Sequence, residues 1–295
     1  MDHSYLILVS SNEPQGSALG ELLRSRVGGR LIVVDALRKT PSQPEPDLVR
    51  VRPDRLDELY CMLAAAQHAC SVLVSAQAVP AVLTFLEQHA GTAGDFAAII
   101  CSSTPDPASQ QTVMDTLTRL SRMGADREKL AVAFTQAPHA MSVQEAFAQL
   151  VAHIVSGEFR GVSLEAVLHQ SQAYERVRDL QLPIGGILRG ELNFETALRQ
   201  AREAGESEQV LHSLARKVLA QRALAGCKEE IDRMLDELHV SRTSRRDRLA
   251  SSAEVGTSPA QQAPTSPVRL MCEQTGQPEN GLMPHQAPDA LADAR

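Results

Sequence analysis

The chain has no tryptophan, and aromatic residues make up 3% of its 295 positions. So few flat rings leave little from which to build platforms for stacking nucleic-acid bases. Positive charge is outweighed: 29 Lys and Arg stand against 36 Asp and Glu, for a formal net charge of −7. That balance argues against non-specific nucleic-acid binding through overall charge. The five cysteines, Cys61, Cys70, Cys101, Cys227 and Cys272, are an odd number at wide spacings. They form neither a disulfide framework nor a CxxC metal pattern, which suits a reducing compartment. No apolar run approaches the roughly 20 residues that span a bilayer. Nor does a basic stretch, an apolar core and a cleavage site open the sequence. The expectation is a soluble cytoplasmic protein with no membrane insertion.

What is present reads as an α/β protein. From Tyr5 to about Ser156, short aliphatic runs alternate with helical patterns, the signature of a parallel sheet covered on both faces. The strands are expected at Tyr5–Ser10, Leu31–Val34, Ser71–Ser75, Ala97–Cys101 and Leu130–Thr135, each an unbroken run as in strands buried on both faces. Helices are expected near Ser17–Val27, Asp54–Gln67, Val79–His89, Pro107–Met123 and Ser142–Ile154. The last of these opens with Ser142 and has Glu145 three residues on, a capping box. Arg38–Arg52 is proline-rich and reads as a surface excursion. After Gly157 the pattern is helical without clear strands: Leu164–Leu180, Phe194–Glu203 and Glu208–Leu238, with Pro183–Gly190 as a loop and Gly226 as an interruption. From Ser241 the chain is rich in Ser, Pro, Gln and Ala, too poor in aliphatics to offset ordering, so a disordered tail is expected. The organisation expected is residues 1–157 as an α/β domain, 158–240 as a helical extension and 241–295 as the tail.

The opening carries the most chemical information. Tyr5–Ser10 feeds the turn Ser11–Gly16 and then a helix from Ser17. A strand, a loop and a helix N-terminus is the arrangement in which P-loop proteins hold nucleotide, because free N–H groups and the positive helix end face the anion. A working loop also needs glycines, a lysine for the outer phosphates and a hydroxyl for magnesium. Here Glu13 adds negative charge, Pro14 removes a donor, and no lysine precedes Lys39. Ser10, Ser11, Asn12, Gly16 and Ser17 are the residues from which a vestigial nucleotide loop could be made; the alternative is an ordinary capped strand-to-helix turn.

Several blocks resemble the StbB family, plasmid-stability proteins related to the ParA and MinD class of deviant P-loop ATPases. They are Phe85-Leu86-Glu87, Gly91, Asp95-Phe96, Gln110-Gln111, Asp115-Thr116 and Gly124 to Phe134, with Tyr174-Glu175, Phe194 to Leu198 and Ile231-Asp232 towards the end. The resemblance covers about Tyr5 to Leu238. It implies a doubly wound, mainly parallel P-loop NTPase-like sheet and a role in plasmid stability, segregation or conjugative transfer beside a DNA-binding partner protein, with a homodimer as a further possibility. It also places the loop lysine on Gln15 or Ser17, and the acidic Walker B residue on Leu73 in the stretch Val72–Val79. Leucine offers magnesium no oxygen ligand, and phosphoryl transfer rests on positioning and charge neutralisation. The expectation is therefore a fold that does not hydrolyse ATP and has no resident cofactor or metal, weak ATP binding being the alternative.

Other candidates have two readings each. Asp35 ends the second strand, either as a ribose-binding acid or a solvated carboxylate; without GxGxxG the latter is simpler. Asp95 and Asp106 read as turn or cap residues, and His68 and Cys70 as a helix-end imidazole and a buried thiol. Ser102-Ser103-Thr104 lies at a strand's carboxyl edge, where open sheets bind ligands, and would serve a small-molecule enzyme or regulatory module on a flavodoxin-like scaffold. An unorthodox ATPase would need a cation from elsewhere, with Lys129, Arg38 and Lys39 as candidates. The stripe Val210, Leu214, Val218, Leu224, Ile231, Leu235 and Leu238 is either a partner helix or core. Arg242, Arg245, Arg246 and Arg248 form the one dense basic cluster, for phosphates, an acidic partner or plain solvent.

Overall fold

The computed structural model describes residues 4–36 and 48–238. Seven strands form one sheet: β1 (Ser4–Val9), β2 (Arg30–Val34), β3 (Leu48–Val51), β4 (Cys70–Val74), β5 (Ala98–Ser103), β6 (Leu130–Ala137) and β7 (Val167–His169). Their order is β3-β2-β4-β1-β5-β6-β7, and every pairing is parallel. Parallel neighbours need long crossovers, and helices supply them. One face carries α2 (Leu56–Ala64), α3 (Val79–Gln88), α4 (Pro107–Arg122), α5 (Val143–Ala146) and α6 (Ala148–Ser156). The other carries α1 (Pro14–Val27), α7 (Gln172–Asp179), α8 (Ile184–Leu188), α10 (Glu208–Gly226) and α11 (Lys228–Glu237), with α9 (Phe194–Glu203) against α10. The fold is a doubly wound α/β sheet with a helical C-terminal part.

The two cores explain the unbroken aliphatic runs. In β1, Leu6 and Leu8 enter one core, while Tyr5, Ile7 and Val9 enter the other. Side chains alternate with period two along a strand, so burial of both faces leaves few polar positions, and those present, such as Ser4 and Ser71, are small and buried. The helices signal themselves locally. Pro14 and Pro107 stand in the first turns of α1 and α4, where a missing N–H costs nothing. The box at Ser142 is present, Ser142 Oγ accepting from Glu145 N and the Glu145 carboxylate from Ser142 N. Gly29 has φ +77° and lies so close to Ala69 that a side chain would strike the Ala69 carbonyl oxygen, so the α1–β2 turn demands glycine.

The structure corrects several expectations. Leu48–Val51, counted with a surface excursion, is edge strand β3; residues 37–47 lie outside the described residues. Leu164–Leu180 is not one helix: Val167–His169 joins the sheet as β7 and α7 starts only at Gln172. A three-residue strand is too short for periodicity to reveal. Pro183–Gly190 holds the short helix α8, whose Ile184 and Ile187 reach the core. Ser142–Ile154 breaks at Phe147, φ −121° and fully buried, into α5 and α6. The helix expected from Ser17 begins at Pro14, so Pro14, Gln15 and Gly16 are its first turn and not loop. The expected tail and the cluster Arg242, Arg245, Arg246 and Arg248 lie outside the described residues.

Candidate functional site

In an open parallel sheet, ligands bind where neighbouring strands send their connections in opposite directions. Here that place is the crevice between β1 and β5. From β1 the chain turns through α1 towards β2, and from β5 it turns through α4 towards β6. The crevice mouth is made by Ser10–Glu13 on one side and Thr104–Asp106 on the other. These are the two loops that the sequence marks, and the topology brings them together.

The crevice is bridged by hydroxyls of the chain itself. Ser10 Oγ and Ser109 Oγ are 2.6 Å apart across it. Ser109 Oγ also accepts from Thr104 N at 2.9 Å, and Ser109 N donates to Asp106 Oδ1 at 2.9 Å. Thr104 Oγ1 donates to the other Asp106 oxygen. Asp106 is therefore the cap of α4, as its position suggested. Ser103 Oγ donates to Thr104 O at 3.2 Å, and Thr135 Oγ1 to Ser103 O at 3.0 Å. Behind the mouth, the space lined by Val9, Ser10, Cys101, Thr112 and Thr116 measures about 10 Å³, room for about one water molecule. Gly16 is buried over β1 and β5, and a Cβ there would come within 2.9 Å of Val9 Cγ1 and 3.4 Å of Ser102 Oγ. Its lack of a side chain serves close packing of α1 on the sheet. Ser11 is half-buried, while Asn12, Glu13 and Ser17 are exposed. The five loop residues thus divide between the core and the solvent-facing surface.

Gln15 was missed as a buried residue. It lies in the first turn of α1 with 0% exposure. Its Nε2 donates to His169 O at 2.6 Å, and its Oε1 accepts from Gln136 N at 2.6 Å. The reason lies two strands away. The β6–β7 register shifts between Phe134 and Ala137, and Gln136 at that irregularity has φ +58°. Such a bulge leaves ladder groups unpaired, and the Gln15 carboxamide satisfies two of them. A carboxamide presents a donor and an acceptor, whereas a lysine has only donors. A second buried amide repeats the device: Gln110 Nε2 donates to Pro105 O at 2.8 Å and Ala146 O at 3.2 Å, and its Oε1 accepts from Leu150 N at 3.2 Å. Gln110 thereby satisfies backbone groups at the break between α5 and α6. In the sequence, an amide two to four residues into a helix that opens with Pro was the available signal.

Leu73 is on β4, opposite Ile7 and Val33. It is 8% exposed in the apolar core beneath α1. A Cβ on Gly20 would lie 3.1 Å from its Cβ. The residue is a packing surface for α1. Of the proposed cation donors, Lys129 precedes β6 at the amino end of the sheet, away from the crevice, and bonds Gly94 O at 2.9 Å; Arg38 and Lys39 lie outside the described residues. Asp35 Oδ1 accepts from Ser75 Oγ at 3.1 Å, and Asp95 Oδ2 from Tyr60 OH at 3.0 Å. Cys70 Sγ approaches His68 O at 3.6 Å. Among the described residues no group of three or more His, Cys, Asp and Glu could hold a metal ion, and no helix is long and apolar enough to cross a membrane.

Fold and site together define a doubly wound parallel α/β protein whose switch-point crevice is bridged by its own side chains. No protein-family model matches the chain, and no curated protein matches it. Among solved structures it is similar to a crystal structure of a ParA family ATPase from Chlorobium tepidum TLS, at 12% identity over 50% of this chain and 80% of that chain, with a TM-score of 0.34. At that score and identity the likeness carries no activity over to this chain.

Proposed function

We propose that the chain is a non-hydrolysing, StbB-like relative of the ParA and MinD class, with a P-loop NTPase-like fold, which serves plasmid stability, segregation or conjugation through protein partners. The observation that carries the loss of hydrolysis is Gln15. Of the two positions to which the resemblance assigns the phosphate lysine, Gln15 is a carboxamide fully buried and bonded to Gln136 and His169, and Ser17 is an exposed hydroxyl without charge. Leu73, at the position of the metal-directing acid, packs against α1. Both changes remove charge that phosphoryl transfer requires. A scaffold that keeps its shape without this chemistry is suited to binding other proteins, a DNA-binding stability protein or a second copy being the partners that the resemblance implies. No observation favours the small-molecule reading, because the hydroxyls at Ser103, Thr104 and Ser109 are bonded within the chain.

The test is a thermal melt with millimolar Mg-ATP, together with turnover assays on the native chain and on Gln15→Lys. No shift and no turnover are expected in either, because Leu73 still offers no oxygen to a metal. A shift of several degrees in the native chain would overturn the reading. The partner role is tested separately by co-purification of the chain with products of neighbouring stability or relaxase genes; failure to bind any of them removes that half.

A further inference from the structure

Away from the crevice, the segment Pro183–Gly190 makes a second concave site. Helix α8 lies against α1, and a cleft of about 140 Å³ there is lined by Glu21, Arg24, Arg189 and Glu191. Glu21 is about two turns along α1 from Pro14, and its Oε2 accepts from Ile184 N at 2.7 Å, which fixes α8 to α1. Gly185 and Gly186, both buried, line the cleft without side chains. Arg189 follows Gly185 by four residues, so the two share one face of the turn. Its guanidinium folds back over the glycine: a Cβ at Gly185 would come within 2.8 Å of Arg189 Nη1. The missing side chain is what makes room for the cation.

The charges there are only partly satisfied within the chain. Arg189 Nε and Nη2 donate to the two Glu191 oxygens at 2.6 and 3.0 Å. These bonds, with Arg24 as a smaller influence, hold the Glu191 carboxyl below its ordinary value. An arginine has five N–H donors, and the two on Arg189 Nη1 make no hydrogen bond among the described residues. Pro183 and Leu192 add apolar surface to the same space. A lone anion entering it would meet Glu21 and Glu191, and a lone cation Arg24 and Arg189; a molecule carrying both charges meets a partner for each. At about 140 Å³ the cleft is well below the roughly 300–1,000 Å³ of sites for drug-sized ligands, so that molecule is small.

We propose that the cleft between α1 and α8 binds a free α-amino acid with no side chain or a short aliphatic one. The α-carboxylate accepts charge-assisted hydrogen bonds from Arg189 Nη1, beside Arg24. The ammonium lies against the Glu21 and Glu191 carboxylates, whose oxygens have lone pairs beyond those their present donors use. The side chain rests on Pro183 and Leu192. A molecule held in this way ties α1 to α8 and stabilises the folded chain by mass action. Nothing at this cleft draws on the residues of the crevice.

The test measures binding of glycine and L-valine to the full chain by isothermal titration calorimetry and by melting at millimolar ligand. Acetate and methylamine serve as glycine lacking its ammonium or its carboxylate, and isovalerate and isobutylamine as the same for valine. Saturable binding of at least one amino acid with a rise in Tm is expected, its two truncated forms binding at least tenfold more weakly. Arg189→Gln should lower the affinity at least tenfold while leaving the unliganded Tm within about 3 °C, because an exposed ion pair contributes little. Gly185→Ala removes no charge, and its helical backbone suits alanine; the added methyl displaces the guanidinium and should weaken binding likewise. Absence of binding by both amino acids overturns the proposal. So does a truncated form that binds as tightly as its amino acid, or an affinity unchanged in both variants, which would put the ligand elsewhere.

Discussion

Gln15 shows how one side chain can alter the meaning of a motif. Near the end of a strand–loop–helix opening, a long polar residue is normally read as facing the ligand. Here it turns inwards, because the β6–β7 bulge leaves an N–H and a carbonyl that nothing else reaches. Replacing it tests the account directly. Gln15→Ala leaves Gln136 N and His169 O unsatisfied and is expected to cost about 2–4 kcal/mol, since an orphaned buried group costs about 1–3 kcal/mol. Urea unfolding measures it, and a midpoint equal to that of the native chain would show that the bracket contributes nothing. Gln15 was assigned a position in the sequence by resemblance. Its burial was not legible, because the groups it bonds are 121 and 154 residues away.

At the scale of elements, the helices and long strands were legible because their signals are local. Pro107 opens α4, Ser142 caps α5, and five strands appear as aliphatic runs. β3 and β7 were not, with four and three residues; only neighbours already in place make such runs into strands. β7 also shows how an edge is protected. Its outward His169 N–H donates to the Glu230 carboxylate of α11, so the last helix covers the end of the sheet. Between α3 and α4, Arg119 donates to Glu87 at 3.0 and 2.8 Å, and these bonds hold the Glu87 carboxyl below its ordinary value. A carboxyl lowered on folding stabilises above its unfolded value near 4.5 and stops doing so as pH falls through its folded value. Arg119→Gln should therefore lower stability slightly at pH 7 and leave it equal to the native chain near pH 2. Denaturation at the two pH values checks this, and an equal deficit at both would mean that the pair's charge is irrelevant.

At the scale of the whole molecule, the C-terminal helices share the core of the sheet. Ile231, Met234 and Leu235 of α11 are 0–1% exposed and lie with Ile7, Leu19 and Leu73 in one apolar cluster. Val218 and Leu224 of α10 are buried as well, so most of the stripe is core, although Val210 at its start is 39% exposed. Met234→Ala is expected to lower global stability by about 2–5 kcal/mol, the usual range for truncating a buried side chain. Circular dichroism and Tyr fluorescence should then report one coincident transition. A separate early loss of helix would show that α10 and α11 melt independently of the sheet.

By itself the sequence determined that this is an α/β protein with strands buried on both faces. It also determined where α3, α4, α9 and α10 begin and that the opening loop lacks a phosphate-binding charge. These follow from hydrophobic periodicity, prolines, caps and residue identity, all of them local. Tertiary structure alone decided that the switch-point crevice is bridged from Ser10 to Ser109, that Gln15 braces β6 and β7, and that Glu21 and Arg24 share a cleft with Arg189 and Glu191. Each depends on groups distant in sequence meeting in space, and a buried polar atom takes its role from whatever the fold sets within about 3 Å of it.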